Sequence, residues 1–268
     1  MARLDPTLFD VVPTQTGMAD RRSLLACQRA VRALLPEGYR YLEIGSHLGG
    51  SIQPHLLDPV CVAITSIDSR PRRQPDARGQ TYAYDDNSTG RMLQHLSSVA
   101  PTDKIATFDV SSAQIEPSSV GSPVQLCFID GEHTDAAVAA DLEFCLAVLD
   151  EAGAIVLHDA AIIYGAIADF LQRIADREPV AYVLPDMVFV IELGAFPIHE
   201  DDQVRASLLQ NHEAYLFALE LNDPFRVFAN RPAFKAWRNL ARSTRSGAGR
   251  TLRVLGRGRR RGSNTAVS

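Results

Sequence analysis

Two short runs place acids and imidazoles where apolar stretches end. They are Phe128-Ile129-Asp130-Gly131-Glu132-His133 and Val156-Leu157-His158-Asp159-Ala160. Two converging carboxylates, Asp130 and Asp159, helped by water, suit Mg²⁺, which favours oxygen ligands. A neutral imidazole at His133, within reach of a hydroxyl, can take its proton near neutral pH. Plainer readings stand beside these. The aspartates can shape loops, His133 can cap a turn, and Glu132 at a helix start can favour the macrodipole.

A second group lies earlier. Glu43-Ile44-Gly45-Ser46-His47-Leu48-Gly49-Gly50-Ser51 follows the apolar Tyr41-Leu42 with the spacing E-x-G-x-x-x-G-x-S. A strand ending in glycines can turn tightly into a helix and lets a ligand approach the amides. Glu43 at such a strand end can accept hydrogen bonds from a ligand ammonium or hydroxyl. The dinucleotide fingerprint G-x-G-x-x-G fails, because His47 stands where its second glycine belongs. His47 itself either touches the ligand or shapes the loop. Asp68 ends the next apolar run, where an acid accepts hydrogen bonds from both ribose hydroxyls of a nucleoside. Asp109 and Ser111 end the third run, with ordinary turn formation as the alternative. His55, His95, His199 and His212 have no motif around them and read as surface or packing residues. No G-x-S-x-G elbow supports a serine nucleophile.

Positioning these residues requires strands alternating with helices. Strand-length apolar runs occur at Tyr41–Ile44, Cys61–Ile67, Ile105–Phe108, Leu126–Ile129 and Ala154–Leu157. Helical spacing is found over Met18–Leu35, stopped by Pro36-Glu37-Gly38, and over Thr134–Leu149. Further helices are expected over Arg91–Val99, Ile162–Asp176 and Asp201–Leu221, the last burying Val204, Leu208, Tyr215 and Leu219. Only Pro185-Asp186 separates Val180–Leu184 from Met187–Leu193, which predicts an antiparallel hairpin. The alternation predicts an α/β fold whose parallel sheet is covered on both faces. Pro71–Gly79 reads as a cover for a pocket or as plain surface loop.

The loop at Glu43–Ser51 resembles the first motif of class I S-adenosylmethionine-dependent methyltransferases. The pairing of I-D-G-E-H-T with V-L-H-D-A resembles a narrower group, the macrolide-sugar O-methyltransferases and cephalosporin-hydroxylase-type proteins. It is more distantly similar to catechol-type, metal-dependent O-methyltransferases. The resemblance implies a doubly wound, mostly parallel seven-stranded sheet ending in an antiparallel hairpin. It implies S-adenosylmethionine on Glu43, Gly45, Ser46, Gly49, Ser51, Asp68, Asp109, Ser111 and Asp130, with Asp109 and Ser111 at the adenine. Mg²⁺ or another divalent metal would sit on Asp130, Asp159 and His158, with His133 as general base. His158 departs from the pattern, since related sugar enzymes carry an acid there. Imidazole is a poorer Mg²⁺ ligand, so the site is looser, another metal is used, or His158 orients Asp159 from behind. The usual P-G-G turn before the fifth strand reads Glu151-Ala152-Gly153-Ala154. The implied reaction is O-methylation of a small molecule, sugar or glycosylated natural product. The rivals are a hydroxylase-like oxidation on the same fold and a non-catalytic cofactor-binding module docking a partner through its tail.

Composition sets the frame. The 268 residues are 46% hydrophobic, enough for one substantial core. Cys27, Cys61, Cys127 and Cys145 are widely spaced in apolar contexts and read as buried free thiols. No signal-peptide layout opens the chain and no run is long enough to span a bilayer, so a cytoplasmic location is expected. From Arg226 onward there are 12 Lys and Arg and no acid, which leaves residues 1–225 with 15 basic against 32 acidic residues, a formal charge of −17. Three regions follow: a methyltransferase-like domain over 1–195, a helical extension over 196–225 and a basic tail over 226–268. The tail is either a solvated segment or a surface for anionic lipid around Phe234 and Trp237. No specific nucleic-acid contact is expected. The partners foreseen are a small-molecule acceptor and a second copy of the chain.

Overall fold

A computed structural model describes residues 5–85, 87–208 and 212–229, excluding the side chains of 222 and 224–229. The basic tail beyond residue 229, with its two readings, lies outside the described residues. In chain order the elements are α1 (Met18–Leu34), β1 (Tyr39–Ile44), α2 (Gln53–Leu57), β2 (Cys61–Ile67), β3 (Arg73–Pro75), β4 (Thr81–Ala83), α3 (Thr89–Ser97) and β5 (Ile105–Phe108). They continue with β6 (Val124–Ile129), α4 (Asp135–Val148), β7 (Leu149–Leu157), α5 (Tyr164–Arg173), β8 (Val180–Leu184), β9 (Val188–Leu193), α6 (Asp202–Ser207) and α7 (His212–Ala229). The chain divides into two units, Met1–Glu220 and Leu221–Ser268.

The apolar runs form strands because both faces of their sheet are covered, so consecutive residues can all be bulky. Along β6, Leu126 and Phe128 pack with α1, α2 and α3, while Cys127 and Ile129 pack with α4 and α5. β7 and β9 alternate in the same way. The sheet has seven strands in the order β5-β2-β1-β6-β7-β9-β8. The first five neighbours are parallel, and β9 runs antiparallel to both β7 and β8. This is the doubly wound sheet with a terminal hairpin that the family resemblance implied.

Register aligns the functional loops. Ile44 pairs with Ile67 and with Ile129, and Ile129 pairs with Leu157, so four strands end together. Hydrogen bonds carry the alignment one residue further. Gly45 N donates to Ile67 O (2.8 Å), Asp130 N to Ile44 O (2.9 Å) and His158 N to Ile129 O (3.0 Å). The chain leaves β1 toward β2 on one side and returns to β6 on the other, which opens a crevice at this carboxyl edge.

Three expectations need correction. Residues 201–221 are not one helix, because Leu208 has an extended backbone (φ −56°, ψ 127°) that ends α6. Tyr215 lies seven positions past Leu208, a helical repeat that carries the apolar spacing across the break and so hides it. Glu151–Ala154 is not a turn before the fifth strand but part of β7, which begins at Leu149 with a register shift opposite Val124 and Leu126. Part of Pro71–Gly79 is not loop, since β3 pairs with β4 as a small antiparallel ribbon.

Candidate active site

A cleft of about 510 Å³ lies along the carboxyl edge of the sheet, within the range of small-ligand sites. Its walls come from the β1 loop, the end of β2, the segment after β5, and the ends of β6 and β7. Pro13, Thr14 and Gln15 complete one side. The fully buried Gln53 holds that segment: it accepts from Val12 N (2.7 Å) and donates to the carbonyls of Phe9, Val12 and Gly50. The β3–β4 ribbon covers another side with Gln74, Arg78 and Tyr82, and Ala77 N donates to His133 O at 2.7 Å.

Of the residues expected around a cofactor, Gly45, Ser46, Ser51, Asp68, Ser111 and Asp130 line the cleft. Glu43, Gly49 and Asp109 take other places. Glu43 is fully buried, accepting from Tyr41 Oη at Oε2 and Ser51 Oγ at Oε1, both at 2.6 Å. Burial pushes its carboxyl up to about 7 against the pull of those two donors. Gly49 turns at φ +84° against Leu96. Asp109 is exposed and accepts a hydrogen bond from Thr89. Gly45 is glycine for a packing reason: at φ +93°, a Cβ would lie 2.2 Å from the Asp130 carbonyl oxygen.

Asp68 Oδ2 accepts from His47 N, and Oδ1 from Arg70 N, both at 2.8 Å. His47 therefore shapes the loop, at φ +44°, while its ring lines the cleft. Arg70 folds back at φ +52° and reaches Asp68 and Asn87. Arg70 is a neighbour of Asp68 that no sequence motif indicated.

At the opposite wall, Asp130, His133 and Asp159 each offer a ligand atom within 4.8 Å of the others. His133 Nδ1 lies 3.3 Å from Asp159 Oδ2, and its Nε2 lies 3.4 Å from Asp130 Oδ1. His158 is turned differently, with Nδ1 3.0 Å from Asp130 Oδ1 and Nε2 3.3 Å from Asp20 Oδ2. The three-residue group that could hold a metal thus contains His133 where His158 was expected. Burial opposes charge throughout, yet the histidines hold Asp130 well below the usual carboxylate range. The acids in turn raise both imidazoles, despite burial. Asp159 is raised by burial and sits at φ +52°. The Nε2 atoms of His133 and His158 are buried without a hydrogen bond among the described residues.

Asp20 and Asp141 were not anticipated. Asp20 is the third residue of α1 and accepts from Gly17 N, so in sequence it reads as a helix cap. Asp141 interrupts the buried row Val138, Cys145 and Val148 of α4, and that helical spacing was a usable signal. Of the other histidines, His55 is buried and stacks on Tyr41 at 3.6 Å, while His199 pairs with Glu192 at 2.6 Å. The four cysteines are buried free thiols.

Residues 42–160 match a family model described as a methyltransferase domain, a stretch running from β1 through Asp159. Those 119 of 268 residues carry a methyltransferase domain. Among solved structures the methyltransferase is similar to the O-methyltransferase NovP, at 11% identity and a TM-score of 0.51, covering 65% of this chain and 80% of that one. It is also similar to Rv0187 from MTB, solved with cofactor bound (16% identity, TM-score 0.48, 70% of this chain and 86% of that one). A third is TomG of Streptomyces achromogenes, an O-methyltransferase of tomaymycin synthesis (14% identity, TM-score 0.46, 71% and 86%). At such identities the likeness to NovP is one of fold. No curated protein matches the methyltransferase by sequence. None of its described helices is long and apolar enough to cross a membrane.

Proposed function

We propose that this methyltransferase methylates a hydroxyl on a small molecule, sugar or glycosylated natural product, with residues 1–195 as its catalytic domain. The observation that carries the reading is the Asp130–His133–Asp159 group, set at the cleft wall where β6 and β7 end in register. Gly45, Ser46, Ser51, Asp68 and Ser111, all lining the cleft, would hold S-adenosylmethionine, which when bound supplies an electrophilic methyl on a sulfonium. Asp130 and Asp159, with His133 beside them, fit a divalent cation by donor type; such an ion would lower the pKa of a hydroxyl it met.

The chain's own residues align the acceptor oxygen and remove one proton. His133 takes that proton on its imidazole, whose two nitrogens face Asp130 and Asp159. Asp159 beside Nδ1 orients the ring, and Asp130 beside Nε2 stabilises the imidazolium that forms. Asp20 and Asp130 hold His158 between them and keep its charge at the cleft edge. The β3–β4 ribbon, with Gln74, Arg78 and Tyr82, and Thr14 and Gln15 opposite, would exclude water and seat the acceptor.

Calorimetry with S-adenosylmethionine, S-adenosylhomocysteine and NAD, with and without Mg²⁺, tests the donor. Both sulfur ligands should bind and NAD should not; failure of both sulfur ligands removes the reading. A panel of hydroxyl acceptors assayed with and without EDTA tests the metal. Turnover insensitive to EDTA, together with an unaffected Asp159→Ala variant, would take the ion out of the reaction.

A further inference from the structure

The ribbon β3–β4 brings to the cleft a cation that the methyl-transfer chemistry leaves unused. Gln74 pairs across the ribbon with Tyr82, so their side chains share one face, and both line the cleft with Arg78 from the connecting turn. Asp76 holds Arg78 in place. Its side chain is fully buried and accepts from Arg78 N, Arg78 Nε, Arg78 Nη2 and Gln80 N at 2.6–3.1 Å. The same turn is anchored beside the proposed base, since Ala77 N donates to His133 O at 2.7 Å. Burial raises Asp159, and Arg78 is among the charges that oppose it, so the guanidinium is felt at the site.

Asp76 Oδ2 spans Nε and Nη2, which leaves the second Nη2 hydrogen for Tyr82 Oη at 2.7 Å. Among the described residues neither Nη1 nor the phenol's own hydrogen makes a hydrogen bond. In the planar fork of a guanidinium, the Nη1 edge lies beside that phenol. Two donors and a positive charge therefore meet at one spot, which favours an oxygen that only accepts. Asp130, Glu132 and Asp159 line the same cleft, so a monoanion is admitted better than a dianion. We propose that Arg78 and Tyr82 bind a carboxylate of the acceptor, so that the molecule methylated is a hydroxy acid, acidic sugars included. This rests on the hydroxyl-methylation reading above and names its substrate class.

Matched acceptors test it in the full chain with S-adenosylmethionine: glucuronate against glucuronamide, lactate against lactamide and mandelate against mandelamide. The wild type should use the acid about 10- to 100-fold better by kcat/KM, with the difference carried by KM. Tyr82→Phe leaves the Arg78–Asp76 pair intact and should cut that ratio about 3- to 10-fold. Arg78→Gln should cut it to about threefold or less, with circular dichroism checking the fold. Equal use of acid and amide by the wild type overturns the inference with no variant needed. So does an Arg78→Gln protein that keeps the full ratio, or turnover confined to neutral alcohols. If no hydroxyl acceptor of any kind turns over while S-adenosylhomocysteine binds, the hydroxyl reading itself has failed.

Discussion

Glu43 near the end of β1 and Asp130 just past the end of the neighbouring β6 are acids at one edge of one sheet, yet they are treated in opposite ways. Both oxygens of Glu43 are taken by the hydroxyls of Tyr41 and Ser51. Around it Ser46 Oγ meets Ser66 Oγ at 2.6 Å, and Asp68 accepts from two backbone amides. The acids of this wall are satisfied within the chain. Asp130 shares its place with His133, His158 and Asp159, where two ring nitrogens are buried without hydrogen bonds and Asp159 has a positive φ. Unpaired imidazole nitrogens mark the second wall, while positive φ occurs on both, at His47 and Arg70 as well as Asp159, and Arg70 Nε is likewise buried without a hydrogen bond. The difference teaches that Glu43 is spent on the chain itself, while the imidazoles beside Asp130 are left for whatever enters the cleft.

If so, changes at His133 should remove chemistry and spare stability, and changes at Glu43 and Gly45 should cost stability first. The largest effect is expected for His133→Ala, with kcat on an aliphatic alcohol falling about 10²- to 10⁴-fold and the melting temperature little moved. The acid limb of the wild-type rate profile, measured without added metal, should lie above the ordinary histidine value, because the flanking acids raise His133 despite its burial. A variant keeping full activity across pH would break the contrast. Next comes Gly45→Ala, expected to lose about 2–5 kcal/mol in denaturant unfolding, from the left-handed backbone and the clash with the Asp130 carbonyl.

Glu43→Gln sharpens the comparison through pH. Burial raises the folded pKa of Glu43 from 4.5 to about 7, so its stabilising contribution is complete below about 4.5 and is lost as pH rises through 7. The loss amounts to about 3 kcal/mol. The Gln variant should be flatter than the wild type across that window, and parallel curves would show that the carboxyl is not buried in this way. The smallest effect is expected for Gln53→Ala, which leaves Val12 N and three carbonyls without their partner. It should cost about 1–3 kcal/mol, and proteolysis within residues 5–17 should quicken.

Much of the frame was legible because strands buried on both faces must be apolar throughout, and their helices must show a 3.6-residue period. The ribbon β3–β4 was not, since Arg73–Pro75 and Thr81–Ala83 are short, partly exposed and without apolar alternation. The break at Leu208 was hidden for the opposite reason: apolar spacing carries on across it. At the site, motif spacing found both carboxylates and both histidines. It could not say which imidazole turns toward the pair, because rotamers answer to neighbours such as Asp20, 138 residues from His158 in the chain.

The sequence by itself determined the order of the seven strands of the main sheet, the glycine at Gly45 and the acids that close four strands, because these depend on local period and on which residues a tight turn admits. Only the tertiary structure decided that Glu43 faces inward, that His133 joins Asp130 and Asp159, and that Asp141 reaches the cleft. Those outcomes depend on sheet register and on partners brought from distant segments, which no local pattern encodes.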